Sequence, residues 1–344
     1  MGENYKAWNI TVRDYSRIKT VHEKLELLVG FAVLAPSSHN AQPWKFLLGE
    51  TYIDVMPDRT RALSESDPKE KNLYTTLGCA IENIVVAADY FGLQARVTYL
   101  PDEKREVAAR IEFSFEKELK QGLDNPDHLI FSILKRCTNR NKYDPNKQLP
   151  EDFVRELSVF SGGGIDVHII EKKKIMEQLT EIIMDASECA FDIATFRREI
   201  ACYSKNNFTR SGVGITGNTM GFGNLQSIVA PFAVKNFNVI RLIRKQEEKL
   251  FSVHTSAHVV MGLKKETKQS WMKAGRACER MILIAGQKGI SSAISIIPTT
   301  VDMKRLKKLL NTSYSPHIFL RLGYAVADPP HAPRLMGKEV LFTS

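Results

Sequence analysis

The first strong pattern along the chain is an apolar run, Leu25, Leu27, Leu28, Phe31, Ala32, Val33 and Leu34, with the length of a mostly buried helix. Pro36 disfavours the α region at Ala35, so the helix is predicted to stop there. Two hydroxyls, an imidazole and two carboxamides (Ser37, Ser38, His39, Asn40, Gln42) then crowd into six residues before Pro43 fixes φ again. Trp44-Lys45-Phe46-Leu47-Leu48 reads as the start of a strand. Residues 78–93 are apolar almost all round, which predicts a helix buried on most of its surface and stopped by Gly92. Strands are expected over 95–101 and 108–113, over Ile165–Ile170 after the turn Gly162-Gly163-Gly164, and in the run 319–325.

The helical pattern recurs. Gly78, Ala80, Glu82, Ala88 and Gly92 fall on Gly275, Ala277, Glu279, Ala285 and Gly289 at a constant offset of 197 residues, and Pro101 meets Pro298 in the same register. A glycine-bounded helix that repeats with its terminating proline implies two related halves, joined between Phe113 and His128. We set the first half at 1–120 and the second at 121–344, with an insertion at about 196–262. Two fused halves behave as a dimer in one chain, and their apolar helices are natural occupants of the shared axis.

Composition narrows the class. A chain of 344 residues that is 43% hydrophobic and 25% charged has the composition of a soluble globular protein. Its longest apolar stretch is far below the ~20 residues that span a bilayer. No signal core or myristoylation pattern opens the chain, and five scattered cysteines without C-x-x-C spacing indicate neither disulfides nor zinc, so a cytoplasmic location is expected. A net charge of +9 is spread along the chain without a basic arm, which favours small phosphorylated ligands over nucleic acid.

The polar loop at 37–42 presents donors and acceptors to a ligand lying over the turn, although alone it also reads as an ordinary helix-to-strand connection. Lys135, Arg136, Arg140 and Lys142 surround Thr138 and Asn139, a set suited to phosphate, since guanidinium groups bond its oxygens in pairs; as a short basic run it also reads as a solvated face. Arg334 adds one more arginine in a proline-stiffened segment. Other motifs carry less. Gly212-Val213-Gly214-Ile215-Thr216-Gly217 spells G-x-G-x-x-G but lacks the preceding strand and the acidic residue of a dinucleotide site, and reads as a flexible loop. His254 and His258 lack the glutamate and third ligand of a zinc site, so no metal is expected. Ser38 beside His39 has no orienting acid and is not a triad.

Four stretches in order, 36–44, Arg136-Cys137-Thr138-Asn139-Arg140, Trp271-Met272-Lys273-Ala274-Gly275 with its helix, and Leu322-Gly323-Tyr324 with Arg334, together resemble the FMN-dependent nitroreductase superfamily. More narrowly, the chain resembles its tandem single-chain, Acg-like branch, over about residues 20 to 340. The resemblance implies an α+β fold in which the two halves form an intramolecular pseudo-dimer, with mixed β-sheets flanked by helices. It implies FMN between the halves. Ser37, Ser38, Asn40 and Gln42 come from the first half and Arg136, Thr138, Arg140 and Arg334 from the second, with Thr138 keeping the hydroxyl of the family's serine. Each set lacks a copy in the other half, which implies one FMN per chain.

Backbone amides of Ser295, Ile296 and Ile297, Ile296 foremost, correspond to the family's contacts near flavin N5. No side chain is required as a general acid or base, so no catalytic residue is named. The function implied is NAD(P)H-dependent reduction of a nitroaromatic, quinone or similar small-molecule acceptor. The insertion corresponds to a lid in the tandem branch, and an alternative is therefore an FMN storage or sequestering protein. Expected partners are FMN, NAD(P)H and the acceptor, with no nucleic acid and no membrane; the chain would be a monomer acting as a fused dimer, with further oligomerisation possible.

Overall fold

The computed structural model describes residues 2–115 and 127–342. The expected boundary between the halves at 120/121 lies outside the described residues.

Helix α1 (Val21–Ala32) starts at a capping box in which Thr20 Oγ1 accepts from Glu23 N and the Glu23 carboxylate accepts from Thr20 N. It ends one turn before Pro36, and β1 (Trp44–Leu48) follows the polar loop. A tight hairpin closed by Gly49 N donating to Tyr52 O (2.9 Å) leads into β2 (Tyr52–Pro57). Next come α2 (Lys71–Tyr90), β3 (Gln94–Asp102) and β4 (Val107–Ser114). The four strands form a sheet in the order β1-β2-β4-β3.

The second half repeats this plan with additions. Helices α3 (Ile130–Lys135) and α4 (Glu151–Ser158) precede β5 (Ile165–Ile170). Then come α5 (Lys173–Asp192), α6 (Ala194–Tyr203), the short strands β6 (Ser204–Lys205) and β7 (Ile215–Thr216), α7 (Asn224–Asn236) and α8 (Val239–Ser252). The chain continues through β8 (Ala257–Leu263), α9 (Lys268–Gln287), β9 (Ser291–Ile296), α10 (Met303–Leu310), β10 (Ser315–Gly323) and α11 (Gly337–Val340). The second sheet runs β5-β8-β10-β9, which matches the first strand for strand. The architecture is α+β, built from two related halves.

The repeat found in the sequence extends to the helix ends. Helices α2 and α9 are both 20 residues long, and each bound of α9 lies 197 residues beyond that of α2. They cross where Gly78 and Gly275 meet. A Cβ on Gly78 would strike the Met272 carbonyl, and one on Gly275 would strike the Thr75 carbonyl. Thr75 and Met272 are themselves partners at offset 197, so the contact is self-complementary, as around a two-fold axis.

Two expectations need correction. The main sheets are antiparallel rather than mixed. Parallel pairing among the described residues is confined to β6–β7 and to a bridge between Phe46 and Leu341. The insertion is also displaced. In the first half 49–51 join the first two strands, whereas 171–256 join β5 to β8, so the added material is α5 to α8. Residues 257–262 belong to β8, a central strand with every residue buried. A strand covered on both faces loses the polar alternation that marks a half-buried one.

The C-terminal segment returns to the first half. Phe342 N donates to Phe46 O (3.1 Å), Arg334 N donates to Asn4 O (2.9 Å), and His331 stacks on Trp8 at 3.9 Å. This return carries Arg334 to the loop after α1. All five cysteines are free. No helix among the described residues is long and apolar enough to cross a membrane.

Candidate active site

The loop after α1 is strained. His39, Asn40 and Gln42 have φ of 51°, 54° and 54°, a left-handed conformation that costs a non-glycine residue about 1–3 kcal/mol. Tertiary bonds hold it. Asn40 Nδ2 donates to Gly214 O (2.9 Å) and Pro333 O (2.8 Å), while its Oδ1 accepts from Arg334 Nη1. Gln42 Nε2 donates to Gly212 O (2.7 Å), and its Oε1 accepts from Leu335 N (3.0 Å). The glycine-rich stretch expected to be a flexible loop is thus pinned here by two carboxamides.

Two adjoining cavities open beside this loop. The larger, about 240 Å3, is lined by Ser37, Ser38, Thr138, Arg140 and Ile296 among the expected residues. It lies just under the roughly 300–1,000 Å3 usual for small-molecule pockets, with Phe196 and Ile215 of the insertion in its wall. The smaller, about 40 Å3, shares Ser37, Thr138 and Arg140 and adds Asn40, Arg136 and Arg334. Of the nine residues selected from sequence, Gln42 alone lines neither cavity, because both ends of its amide are spent on the backbone.

Three guanidinium groups converge on the smaller cavity. Arg136 donates to Leu34 O (3.1 Å from Nη2), and Arg334 donates to Ala35 O (3.3 Å) and Pro333 O (2.9 Å), so both use carbonyls at the C-terminal end of α1. Arg334 is 3% exposed and its Nε has no partner. Burial, and then the charge of Arg136, push its pKa well down; Arg140 is lowered chiefly by burial. Cations gathered in this way are a candidate site for an anion.

Behind them lies Glu279, fully buried, with neither carboxyl oxygen hydrogen-bonded and Arg136 Nε 3.8 Å away. Burial raises its pKa to about 7, against the opposing pull of Arg136. Between the ordinary carboxylate range and 7 the native state therefore binds the extra proton, and stability falls as pH rises through that window. Removing the slope with Glu279→Gln is expected to change the stability difference between pH 5 and 7.5 by on the order of 3 kcal/mol. Urea unfolding of flavin-free protein at both pH values measures it. His39, His258 and His317, held by burial at about 4, 3 and 3, give the opposite slope as pH falls below 6.5, and comparison with the parent protein subtracts them.

The floor of the larger cavity includes β9, an edge strand. Ile297 N donates to His317 O (3.0 Å), and the antiparallel alternation assigns Ser295 to β10 as well. Only the Ile296 amide of the three expected donors faces the open edge. Sequence reasoning missed Asn72, Thr75, Thr76 and Cys79, which line the cavity from α2. Their signal was present, a stripe of small and polar residues at i, i+3, i+4 and i+7 on an otherwise apolar helix. It went unread because the predicted helix began at 78, seven residues late.

No family model matches the chain. Over 340 residues, 97% of its length, it is 23% identical to "Putative NAD(P)H nitroreductase Rv3131" of Mycobacterium tuberculosis, and the match covers 93% of that protein. A second M. tuberculosis protein, acg, named in the same terms, is 22% identical over 325 residues, 91% of this chain and 93% of that one. The chain is thus similar, over nearly its whole length, to proteins named as nitroreductases. Among solved structures, the FMN-dependent nitroreductase NfnB from Mycobacterium smegmatis in complex with NADPH matches 62% of this chain and 96% of its own, with a TM-score of 0.42 and 15% identity.

Within this chain the mirror-image position is filled. At offset 197, Cys79 becomes Arg276, Thr76 becomes Lys273, and Ile296 corresponds to Tyr99. Arg276 Nε donates to Glu82 (2.8 Å), its Nη1 donates to the Tyr99 hydroxyl (3.1 Å), and Lys273 Nζ lies 5.8 Å over the Tyr99 ring. Glu82, the counterpart of Glu279, is also bonded by Arg280, whereas neither Glu279 oxygen is hydrogen-bonded. Large paired side chains stand where the other site has a cavity.

Proposed function

We propose that this chain binds one FMN between its halves and uses it for NAD(P)H-dependent reduction of nitroaromatic, quinone or similar acceptors. The observation that carries the reading is the gathering of Arg136, Arg140 and Arg334 at one end of a cavity built from both halves. The donor set fits the cofactor. The three arginines suit the phosphate, and the unpartnered Nε of Arg334 is a donor without an acceptor until an anion arrives. Ser37 and Thr138 line both cavities and Ser38 the larger one, and the Ile296 amide is the edge donor on the ring side.

Bound there, FMN supplies two-electron carriage between donor and acceptor. The protein's residues bind, orient and exclude water. Neutral His39 lines the larger cavity without adding charge, while Ala190, Phe196 and Ile215 cover it with apolar surface. Asn40 works through Arg334, as a positioning residue. In the proposed division, 1–120 and 121–344 each contribute one wall.

The insertion is latched across this opening by Glu199, whose carboxylate accepts from Glu65 N (2.9 Å), Ser66 N (2.9 Å) and Ser66 Oγ (2.6 Å). Glu199→Ala is expected to speed FMN loss about tenfold, since even a partly exposed charged hydrogen bond contributes on the order of 1.5 kcal/mol; recovery of flavin fluorescence on dilution measures it. Storage has no support among the relatives, which are named for NAD(P)H-dependent reduction. The deciding experiment is anaerobic mixing of the flavin-loaded protein with NADH or NADPH, followed near 450 nm, about where oxidised flavins absorb. Bleaching followed by recovery on adding a quinone is expected; no bleaching with either donor overturns the reading.

A further inference from the structure

Nine of the twelve exposed large hydrophobic side chains among the described residues fall between 208 and 242. On α7 an apolar face is left outside. Ser227 is the buried residue, bonded to Asn207 N (3.1 Å) and Asn224 O (2.7 Å), whereas Leu225, Ile228, Val229 and Phe232 form an outward stripe at i, i+3, i+4 and i+7. A helix that leaves an apolar stripe of this length in water lacks its partner.

Charge identifies that partner. Residues 204–246 contain no Asp or Glu but six Lys and Arg. Arg241 and Arg244 are paired with acids on α5, whereas the exposed Arg210, Lys235 and Lys245 make no ion pair among the described residues. An apolar stripe in a segment that carries unpaired cations, Lys235 on α7 itself among them, and no acids matches the boundary of an anionic bilayer, where acyl chains take the apolar face and headgroups the cations. A second copy would bring these cations against their own kind.

We propose that the α7 face docks this protein peripherally on membranes rich in anionic lipid. The insertion that carries α7 also contributes Phe196 and Ile215 to the larger cavity, so the docking face and the cavity cover are parts of one element.

The test is co-sedimentation of the full-length, flavin-loaded protein with vesicles of phosphatidylcholine alone and of equal parts phosphatidylcholine and phosphatidylglycerol. Binding to the mixed vesicles is expected to exceed binding to the neutral ones by more than tenfold and to weaken with salt. Leu225→Gln with Phe232→Gln should abolish it; both side chains are more than half exposed, so circular dichroism and flavin content should be unchanged. Lys235→Glu with Lys245→Glu should weaken it by at least tenfold, as each cation near an anionic surface is worth about fivefold. Protein that stays in the supernatant with mixed vesicles overturns the proposal. So does binding that survives the Leu225/Phe232 change. A dimer seen by sedimentation velocity that this change dissolves, without vesicle binding, overturns it in favour of self-association.

Discussion

Arg334→Ala is expected to weaken FMN binding by roughly tenfold to a hundredfold, the worth of one hydrogen bond to a charged group. The side chain is buried at the narrow end of the paired cavities and keeps an unpartnered Nε there. Its loss also leaves Asn40 Oδ1 without its donor and frees a loop that holds three left-handed residues. Arg136→Ala should have a similar effect, with one difference. Glu279 would lose the one cation within 4 Å of it among the described residues and remain uncompensated in the core, so this variant should also unfold more easily at pH 8 than at pH 6. Titrating flavin-free variants with FMN by fluorescence measures the first effect, and thermal melts at both pH values measure the second. Full flavin occupancy in both purified variants would show that the phosphate lies elsewhere.

Gly275→Val is expected to cost about 3 kcal/mol or more, at the upper end of what overpacking a core costs. The atom that a new Cβ meets is the Thr75 carbonyl oxygen, part of a helix backbone that cannot swing aside as a side chain would. Helices α2 and α9 would have to separate at the pseudo-two-fold crossing, and the cavity walls drawn from the two halves would separate with them. Urea unfolding should show the loss, accompanied by lower flavin content. Gly286→Ala on the same helix is the control. Its Cβ would meet nothing nearer than Ser132 at 3.9 Å, so this change should stabilise by up to about 1 kcal/mol through helix propensity. If both variants prove equally stable, close helix contact is not what Gly275 serves.

Much of the lining of the candidate cavities was legible because its residues sit in short, chemically dense runs. Ser37, Ser38 and Asn40 occupy one turn between two prolines, and Arg136, Thr138 and Arg140 alternate within five residues. Gln42 misled for a physical reason. A carboxamide in a polar loop can bond a ligand or the backbone, and only the arrival of Gly212 and Leu335, 170 and 293 residues away, shows that it does the second. The strand β8 was lost inside an expected insertion because burial on both faces erased its alternation. The α2 contribution was lost because residues 71–77 mix lysine, threonine and tyrosine ahead of the apolar run.

By itself the sequence determined the two-half organisation, since an offset of 197 is arithmetic on residues and needs no coordinates. It also determined where helix α1 stops, where β1 and β5 run, and which half holds the hydroxyls and which the arginines. Those properties are local or periodic. The tertiary structure alone decided that Arg334 reaches the loop after α1, that Glu279 has no hydrogen bond while its counterpart Glu82 has several, that only Ile296 among three adjacent amides faces the open edge of the sheet, and that the apolar stripe of α7 faces water. Each of these depends on which distant segments meet. Contacts across more than a hundred residues leave no period in the chain, and burial, pKa and the direction of a donor are properties of the surroundings that those contacts create.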